Sequence, residues 1–375
     1  MDSSADVMKN LVPVVLKALD VLECFRTPDE EITLSDVTAR TGISHATAYR
    51  ILCTLVHRQY LSRRAMRYRL SSMRRKIRVS FCASMSLPLS VAIAESLAEA
   101  ANQAGIDLTV RDNQFSRDVA MENARSLAAE GIDVAIEFQR DHAFAAPIAN
   151  VFRSARIPLI AVHVPHPGAI YFGPDNYRAG LSAGAALGRH ALVEFAGRPK
   201  LLLLLRINDA GTPLQERITG VIDGFRQVLP NFPDDRIVHL DGAGDRDRSK
   251  EVALGTLRRL RRSGTLLIAA GSDHSALGAL DAVRDLRLTD RCALVGHDGD
   301  REALERIAEV DSPFIGTVAF FPERYGQGLI GLVLRLLKGE QIAPFNYVPH
   351  EFLTRAGVSG LNTTRPRAES PGIRK

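Results

Sequence analysis

Residues 37 to 78 hold eleven Arg or Lys and no Asp or Glu. A one-signed field of that density repels itself, and its usual purpose is to meet a polyanion such as nucleic-acid phosphate. A merely solvated face is the alternative, but solvated faces normally intersperse both signs. The asymmetry is confined to one end: through Arg78 the chain counts 14 basic against 8 acidic side chains, a net of +6, and the remainder counts 34 against 35, a net of −1. Other constellations fail on spacing. His163 and His166 stand three apart, yet Pro165 and Pro167 deny the helix that would bring both imidazoles to one metal ion. Asp273, His274 and the flanking Ser272 and Ser275 crowd one turn and cannot build the chain of orienting hydrogen bonds a triad needs. The stretch "GAGDRD" from Gly242 lacks the third glycine and the downstream acid of a dinucleotide site. No catalytic group, metal or cofactor is expected, so an enzyme is the least favoured class.

The elements that position these residues are readable from periodicity. Val15, Leu19 and Leu22 recur at helical spacing and mark a first helix ending near "RTPDEE". Thr33-Leu-Ser-Asp36 is a capping box that opens a second helix, stopping at Gly42. Ser44 is the expected N-cap of a third, with Ala48, Ile51, Leu52 and Leu55 on one face. Ala46, Arg50 and His57 then point the other way, flanked by Thr47 and Tyr49. The segment "QYLSRRAMRYRLSS" alternates apolar and basic residues about a turn at Ala65-Met66, a two-stranded wing. From Arg78 onward, short β-branched runs ("IRVSFCA", "IDLTVRD", "IDVAIEF", "IPLIAVH") alternate with amphipathic helices. A second series begins after Asp175-Asn176: "KLLLLLRIN", "RIVHL", "TLLIAAG", "CALVGHD" and "FIGTVAF". The alternation implies an α/β chain with two doubly wound parallel sheets and a cleft between them.

Composition bounds the setting. The start, "MDSSADVMKN", has no apolar core of a secretory signal, the longest aliphatic run is Leu201 to Leu205, and Cys24, Cys53, Cys82 and Cys292 are scattered. A cytoplasmic protein with reduced thiols and no membrane span is expected. The tail from Arg355 is rich in Gly, Pro and Thr and is expected to be disordered over 356–375.

The segment "GISHATAYRILCTLVHRQYLSRRAMRYRLS", preceded by "VLKALDVLECF", resembles the winged helix-turn-helix of the IclR family of bacterial transcription regulators. The resemblance covers about residues 11 to 72 and implies that the third helix enters the major groove of duplex DNA. It makes Thr33, Ser44, His45, Ala46, Thr47, Tyr49 and Arg50 the candidate reading residues, and Arg63, Arg64, Arg67 and Arg69 of the wing candidate phosphate contacts. Arg50 has the fork to read guanine, and the methyls of Ala46 or Thr47 suit thymine. Tyr49 packing under the wing, and His45 meeting only a phosphate, remain open.

The chain beyond the wing is similar to the sugar-binding proteins of the ribose-binding type, also used as effector domains in the LacI family. The segments "IPLIAVHVPHPGAIYFGPDNYRAG", "QERITGVIDGF", "GSDHSALGAL", "LVGHDGDREALERI" and "IGTVAFFPERYGQG" carry the similarity over about residues 77 to 355. The resemblance implies a type I periplasmic-binding-protein fold, with lobe 1 about 77–175 and 321–345 and lobe 2 about 176–320. Arg217 and Asp298 then stand where the family hydrogen-bonds sugar hydroxyls; a plain ion pair near the hinge is the alternative. Departures are marked: Leu89-Ser90 replaces the aromatic pair after the first strand, Glu137 falls where an amide is common, and His163-Val164 replaces an Asp-Arg pair. Ser272 replaces an Asn, and Phe320 a Gln. Phe138, Tyr171, Phe320 and Phe321 are candidates for a replacement stacking face.

Together the two resemblances imply a homodimeric regulator with three parts: residues 1–76 reading a double-stranded operator, 77–355 sensing a small polar effector, sugar or polyol, and a tail. A solute-binding transport component is the alternative, and a sugar-active enzyme a more remote one. Only Ser71 to Lys76 separates wing from sensor, too short for a stable hinge helix with flexible joints.

Overall fold

The computed structural model describes residues 11–27, 30–58, 60–70, 76–139, 141–260 and 264–362. Ser71 to Arg75 of the connecting segment and the tail beyond 362 lie outside the described residues. The chain divides into two compact units, Met1–Lys76 and Ile77–Lys375.

In the first unit, α1 (Pro13–Glu23), β1 (Ile32–Thr33), α2 (Leu34–Thr41), α3 (His45–His57), β2 (Leu61–Arg64) and β3 (Arg67–Leu70) surround a core that includes Val21, Val37, Ala48, Leu52, Leu61 and Tyr68. The expected capping box is present: Asp36 N–H donates to Thr33 Oγ1, and the Thr33 amide to Asp36 Oδ2. Gly42 ends α2 at φ +69°, a conformation glycine adopts without steric cost. Two details differ from expectation. The α1 face carrying Val15 and Leu19 is exposed, and Val21 is the residue α1 buries. Moreover, β1 joins the hairpin as a third antiparallel strand, in the order β1-β3-β2. Two residues at a helix entrance are too few to show a period.

The second unit starts with β4 (Arg78–Ala83), α4 (Pro88–Gln103), β5 (Asp107–Asp112), α5 (Arg117–Glu130), β6 (Val134–Phe138), α6 (His142–Ser154), β7 (Leu159–Val162) and β8 (Ile170–Pro174). It continues with α7 (Asn176–Glu194), β9 (Leu201–Arg206), α8 (Gly211–Val228), β10 (Ile237–Asp241), α9 (Arg246–Leu260), β11 (Leu266–Ala270), α10 (Asp273–Asp285), β12 (Cys292–Asp298), α11 (Arg301–Ala308) and β13 (Phe314–Ala319). It ends with α12 (Tyr325–Leu337), β14 (Phe345–Val348), β15 (Glu351–Thr354) and α13 (Arg355–Asn362).

Two six-stranded sheets result, β14-β8-β7-β6-β4-β5 and β10-β9-β11-β12-β13-β15, parallel throughout except for the β13–β15 pair. Their inner orders, 5-4-6-7-8 and 10-9-11-12-13, are the same doubly wound pattern repeated, each with its topological switch beside the first strand of its lobe. The inner strands are buried on both faces and so read as continuous apolar runs such as Leu201–Leu205, whereas the edge strands β5, β10, β14 and β15 are mostly exposed or half-buried.

The chain crosses between lobes three times: after β8, after β13 and between β14 and β15. The expected division places two crossings, near residue 175 and near residue 320. The third returns β15 and α13 to lobe 2, so 355–362 is not part of a structureless tail: Val358 of α13, 3% exposed, packs into the lobe 2 core. Among the described residues no helix is long and apolar enough to cross a membrane.

Candidate functional site

The carboxyl ends of both sheets face one cleft, where open α/β sheets bind ligands. It encloses about 610 Å³ of space between the lobes, open solvent at its mouth included. From lobe 1 it is lined by Leu87, Pro88 and Leu89 after β4, Phe138 at the end of β6, and His163 and Val164 after β7. Lobe 2 contributes Arg217 from α8, Ser272 and His274 after β11, and Asp298 and Asp300 after β12, among others.

Arg217 is the centre of this arrangement. Its side chain is 2% exposed; Nε and Nη2 donate to Asn176 Oδ1 at 3.0 and 2.7 Å, and Nη1 donates to the Gly271 carbonyl at 2.5 Å and lies 3.7 Å from Asp298 Oδ1. Its guanidinium carbon sits 4.9 Å from the Phe320 ring centroid, a cation–π contact. Burial works against the guanidinium charge, while the Asp298 carboxylate supports it. The helix that carries Arg217 is fixed by glycines: Gly180 and Gly184 of α7 interlock with Gly220 and Gly224 of α8. An added Cβ at Gly180 would overlap the carbonyl of Arg217 itself, and one at Gly220 the carbonyl of Tyr177. Backbones this close leave Arg217 little freedom to shift along its neighbour.

Three non-glycine residues around the cleft adopt positive φ: His163 (+62°), Asp298 (+123°) and Phe321 (+54°). Such backbone costs on the order of 1–3 kcal/mol each and persists where the surroundings impose it. Around Asp298 the imposing group is Asp273, wholly buried. Its Oδ2 accepts from the amides of Gly299 and Asp300, both at 2.8 Å, and its Oδ1 accepts the Thr317 hydroxyl at 2.6 Å. Burial, with Asp300 and Asp298 nearby, pushes the Asp273 carboxyl well up. His163 makes a 3.0 Å hydrogen bond through Nε2 to the Tyr325 hydroxyl and packs against the Phe138, Phe320 and Tyr325 rings. Burial first, then the Arg217 charge, lowers its pKa to about 3, so the imidazole is neutral near pH 7.

Of the sequence candidates, Leu89, His163, Arg217, Ser272 and Asp298 meet at this cleft. Ser272 is also the N-cap of α10, its Oγ accepting the Ser275 amide at 3.2 Å. Three candidates do not line it. Ser90 points into the α4 core and is fully buried. Phe320 lies behind the wall, supporting Arg217 and His163. Glu137 is on the far face of the lobe 1 sheet, because strand side chains alternate and its neighbour Phe138 takes the cleft side. There Glu137 is 0% exposed, and Cys82 and Asn113 lie against its carboxylate without making hydrogen bonds of good geometry. Burial raises it to about 8. Tyr171 turns its hydroxyl to the Pro174 carbonyl at 2.8 Å instead of offering a stacking face. Sequence reasoning missed Asn176, His274 and Asp300. Asn176 follows the helix-capping Asp175 in "DNYRAG", and its role becomes legible only through Arg217.

In the first unit, α3 exposes His45, Ala46, Tyr49 and Arg50, with Thr47 half-buried. Tyr49 is 44% exposed, while Tyr68 of β3 is buried in the core of the unit, at 2%. Ser44 stands at the N-cap, but its hydroxyl donates to Thr47 Oγ1 at 3.0 Å and caps no amide. The Thr33 hydroxyl is engaged by Asp36. The hairpin register separates the four wing arginines. Arg64 pairs with Arg67 and Ser62 with Arg69, which puts Arg64, Arg67 and Arg69 on one face. Arg63 pairs with Tyr68 on the other and lays its guanidinium over that ring.

Comparison with known proteins agrees with both units. Residues 14–65 match the IclR helix-turn-helix domain, and residues 85–341 match the periplasmic binding protein domain. No curated protein matches the chain. Among solved structures, one similar protein is an ABC transporter periplasmic solute-binding protein from Actinobacillus succinogenes with bound D-allose. It is 18% identical, with a TM-score of 0.65 over 76% of this chain and 100% of that one. Another is a solute-binding protein from Mycobacterium smegmatis with bound glycerol, at 20%, 0.66, 76% and 96%. A third is the binding-protein component of an arabinose transporter from a Shewanella species, bound to L-arabinofuranose, at 21%, 0.64, 77% and 95%. With its cleft, repeated sheets and triple crossing, the chain belongs to the periplasmic binding protein domain family and carries an IclR helix-turn-helix domain ahead of it.

Proposed function

We propose that this protein is a transcription regulator that binds operator DNA through residues 11–70 and adjusts that binding to a neutral sugar or polyol held between the lobes. The observation that carries the reading is the joining, in one chain, of an exposed helix face (Ala46, Tyr49, Arg50) and a three-arginine hairpin face with a built cleft around Arg217 and Asp298. The similar structures hold D-allose, glycerol and L-arabinofuranose, and carboxylates such as Asp298 and Asp300 are suited to accept hydroxyl hydrogen bonds. An anionic ligand fits poorly, because Asp298 and Asp300 repel it while three Arg217 donors already serve Asn176 and Gly271. The regulator works as a homodimer in the cytoplasm, since operators read by helix-turn-helix proteins are commonly two half-sites.

The test is to sequence the DNA that the full chain retains from a genomic library and to measure affinity for it with and without a panel of sugars and polyols. The expected result is a defined site, steep loss of affinity with salt as counterions are displaced, and a change in affinity with one ligand class. Affinity flat between low and moderate salt, with no preferred site, would refute the reading. The chain would then be better described as a solute-binding component.

A further inference from the structure

The two walls of the cleft differ in chemistry. The described lining of lobe 1 is Leu87, Pro88, Leu89, Phe138 and Val164, with His163 as its one polar side chain. His163 is neutral, and its Nε2 is already engaged by the Tyr325 hydroxyl. Lobe 2 opposes this wall with Asp298, Asp300, His274, Ser272 and Arg217, beside two apolar side chains, Ile207 and Leu214. Burial raises the Asp300 carboxyl, and the His274 imidazole opposes that shift, which places the two side chains near one another at the lobe 2 floor. Asp300 is the N-cap residue of α11 without making a side-chain cap bond. Its carboxyl is thus not spent on the helix it begins.

From this asymmetry we propose that the cleft selects an amphipathic ligand, a sugar or polyol whose hydroxylated edge meets Asp298, Asp300 and His274 and whose opposite edge is deoxygenated or alkylated and lies on Leu87, Leu89 and Phe138. The proposal rests on the reading of the cleft as a sugar or polyol site and narrows it. A hydroxyl turned toward Leu87, Leu89 and Phe138 finds no side-chain partner among them and loses its water on closure, a cost that a methyl group in the same place avoids. The methyl group also gains from burying apolar surface. Each contribution is worth severalfold in affinity, and together about tenfold.

The test is calorimetric titration of the full-length protein with matched pairs: galactose against its terminal-deoxy form fucose, mannose against rhamnose of the same hand, and each parent hexose against its methyl glycoside. In at least one series the deoxygenated or methylated member is expected to bind about tenfold more tightly. In Leu89→Asn, which puts an amide on the apolar wall, the preference is expected to fall to about twofold or reverse. A parent sugar that binds as tightly as its partner in every series that binds, or a preference unchanged in Leu89→Asn, would overturn the amphipathic assignment and leave the sugar-sensing reading standing. If no member of the panel binds, the sugar reading itself fails and this inference fails with it. A cooperative thermal transition of the sensor unit in the same preparation, matching that of the wild type, shows that the cleft-bearing unit is folded.

Discussion

Glu137 is a buried acid with no role at the cleft, and its cost is measurable. Its ordinary value is 4.5 and burial carries it to about 8 in the fold. Below 4.5 both folded and unfolded chains hold the proton and nothing changes. Between 4.5 and 8 the unfolded chain ionises while the folded one stays protonated, so stability falls as pH rises, by up to about 1.4 kcal/mol per unit, and levels off above 8. The buried His163 and His166, lowered to about 3 and about 4, act in the opposite sense. Their contribution is lost as pH falls below the ordinary value of 6.5 and is complete above it. Above 6.5 the histidine contribution is complete, but the buried Asp273 and Asp300 carboxyls, also raised, act in the same sense as Glu137, so the difference between wild type and a Glu137 variant is what isolates it. In denaturant titrations, Glu137→Gln is expected to lessen the decline between pH 6.5 and 8 and to gain stability relative to the wild type as pH rises to 8; a parallel pair of curves would show that the carboxyl is not held protonated. Asp298→Ala tests the cleft itself. A thermal-shift hit from the sugar panel should vanish in this variant, and ligand binding that survives it would place the site elsewhere.

At the scale of elements, the α7–α8 contact makes a sharp prediction. Gly220→Ala puts a methyl into the Tyr177 carbonyl, so the helices must part, at a cost of about 3 kcal/mol. Because Arg217 lies one turn away on the same helix, ligand affinity should fall with stability. Gly331→Ala in α12 is the control. A Cβ there meets nothing within 4 Å, and this variant is expected to be neutral or stabilised by up to about 1 kcal/mol. Equal melting temperatures for the two variants would contradict the packing argument. The wing divides likewise. Arg67→Ala should weaken all DNA sequences alike and flatten the salt dependence, whereas Arg50→Ala on α3 should cost about 1–3 kcal/mol on the specific site and relax one base position. The same elements show what the sequence makes legible. Alternating strands and helices, the capping box at Thr33 and the wing turn at Ala65 follow from local periodicity and turn chemistry. The placement of Glu137 does not, because in a strand buried on both faces no pattern says which parity faces the cleft. Nor does α13: "RAGVSGLN" has two glycines in eight residues, and it docks on the sequence-distant helix α11 as well as on the adjoining β15.

At the scale of the whole molecule, the open question is how ligand between the lobes alters operator binding. Lobe closure has a place to act, since three chain crossings join the lobes and His163, Asp298 and Phe321 hold strained backbone around the cleft. Ligand that binds the closed arrangement better shifts the population toward it. Seven residues, 71 to 77, lie between β3 and β4, fewer than the roughly 12 to 15 that an isolated helix needs to be stable in water. Coupling is therefore expected to pass through the spacing of two readers in a dimer, set by short tethers. Ligand should change operator affinity by a factor corresponding to about 1–3 kcal/mol, and operator should change ligand affinity by the same factor, as linkage requires. Inserting a flexible Gly-Ser segment after Ser72 should leave operator binding and ligand binding each intact when measured alone. It should erase the dependence of one on the other, because a long tether lets each reader find its half-site whatever the lobes do. Operator titrations of the insertion variant with and without saturating ligand decide the matter: superimposed curves support coupling through tether length, and a full ligand response in the variant means that the signal takes another route.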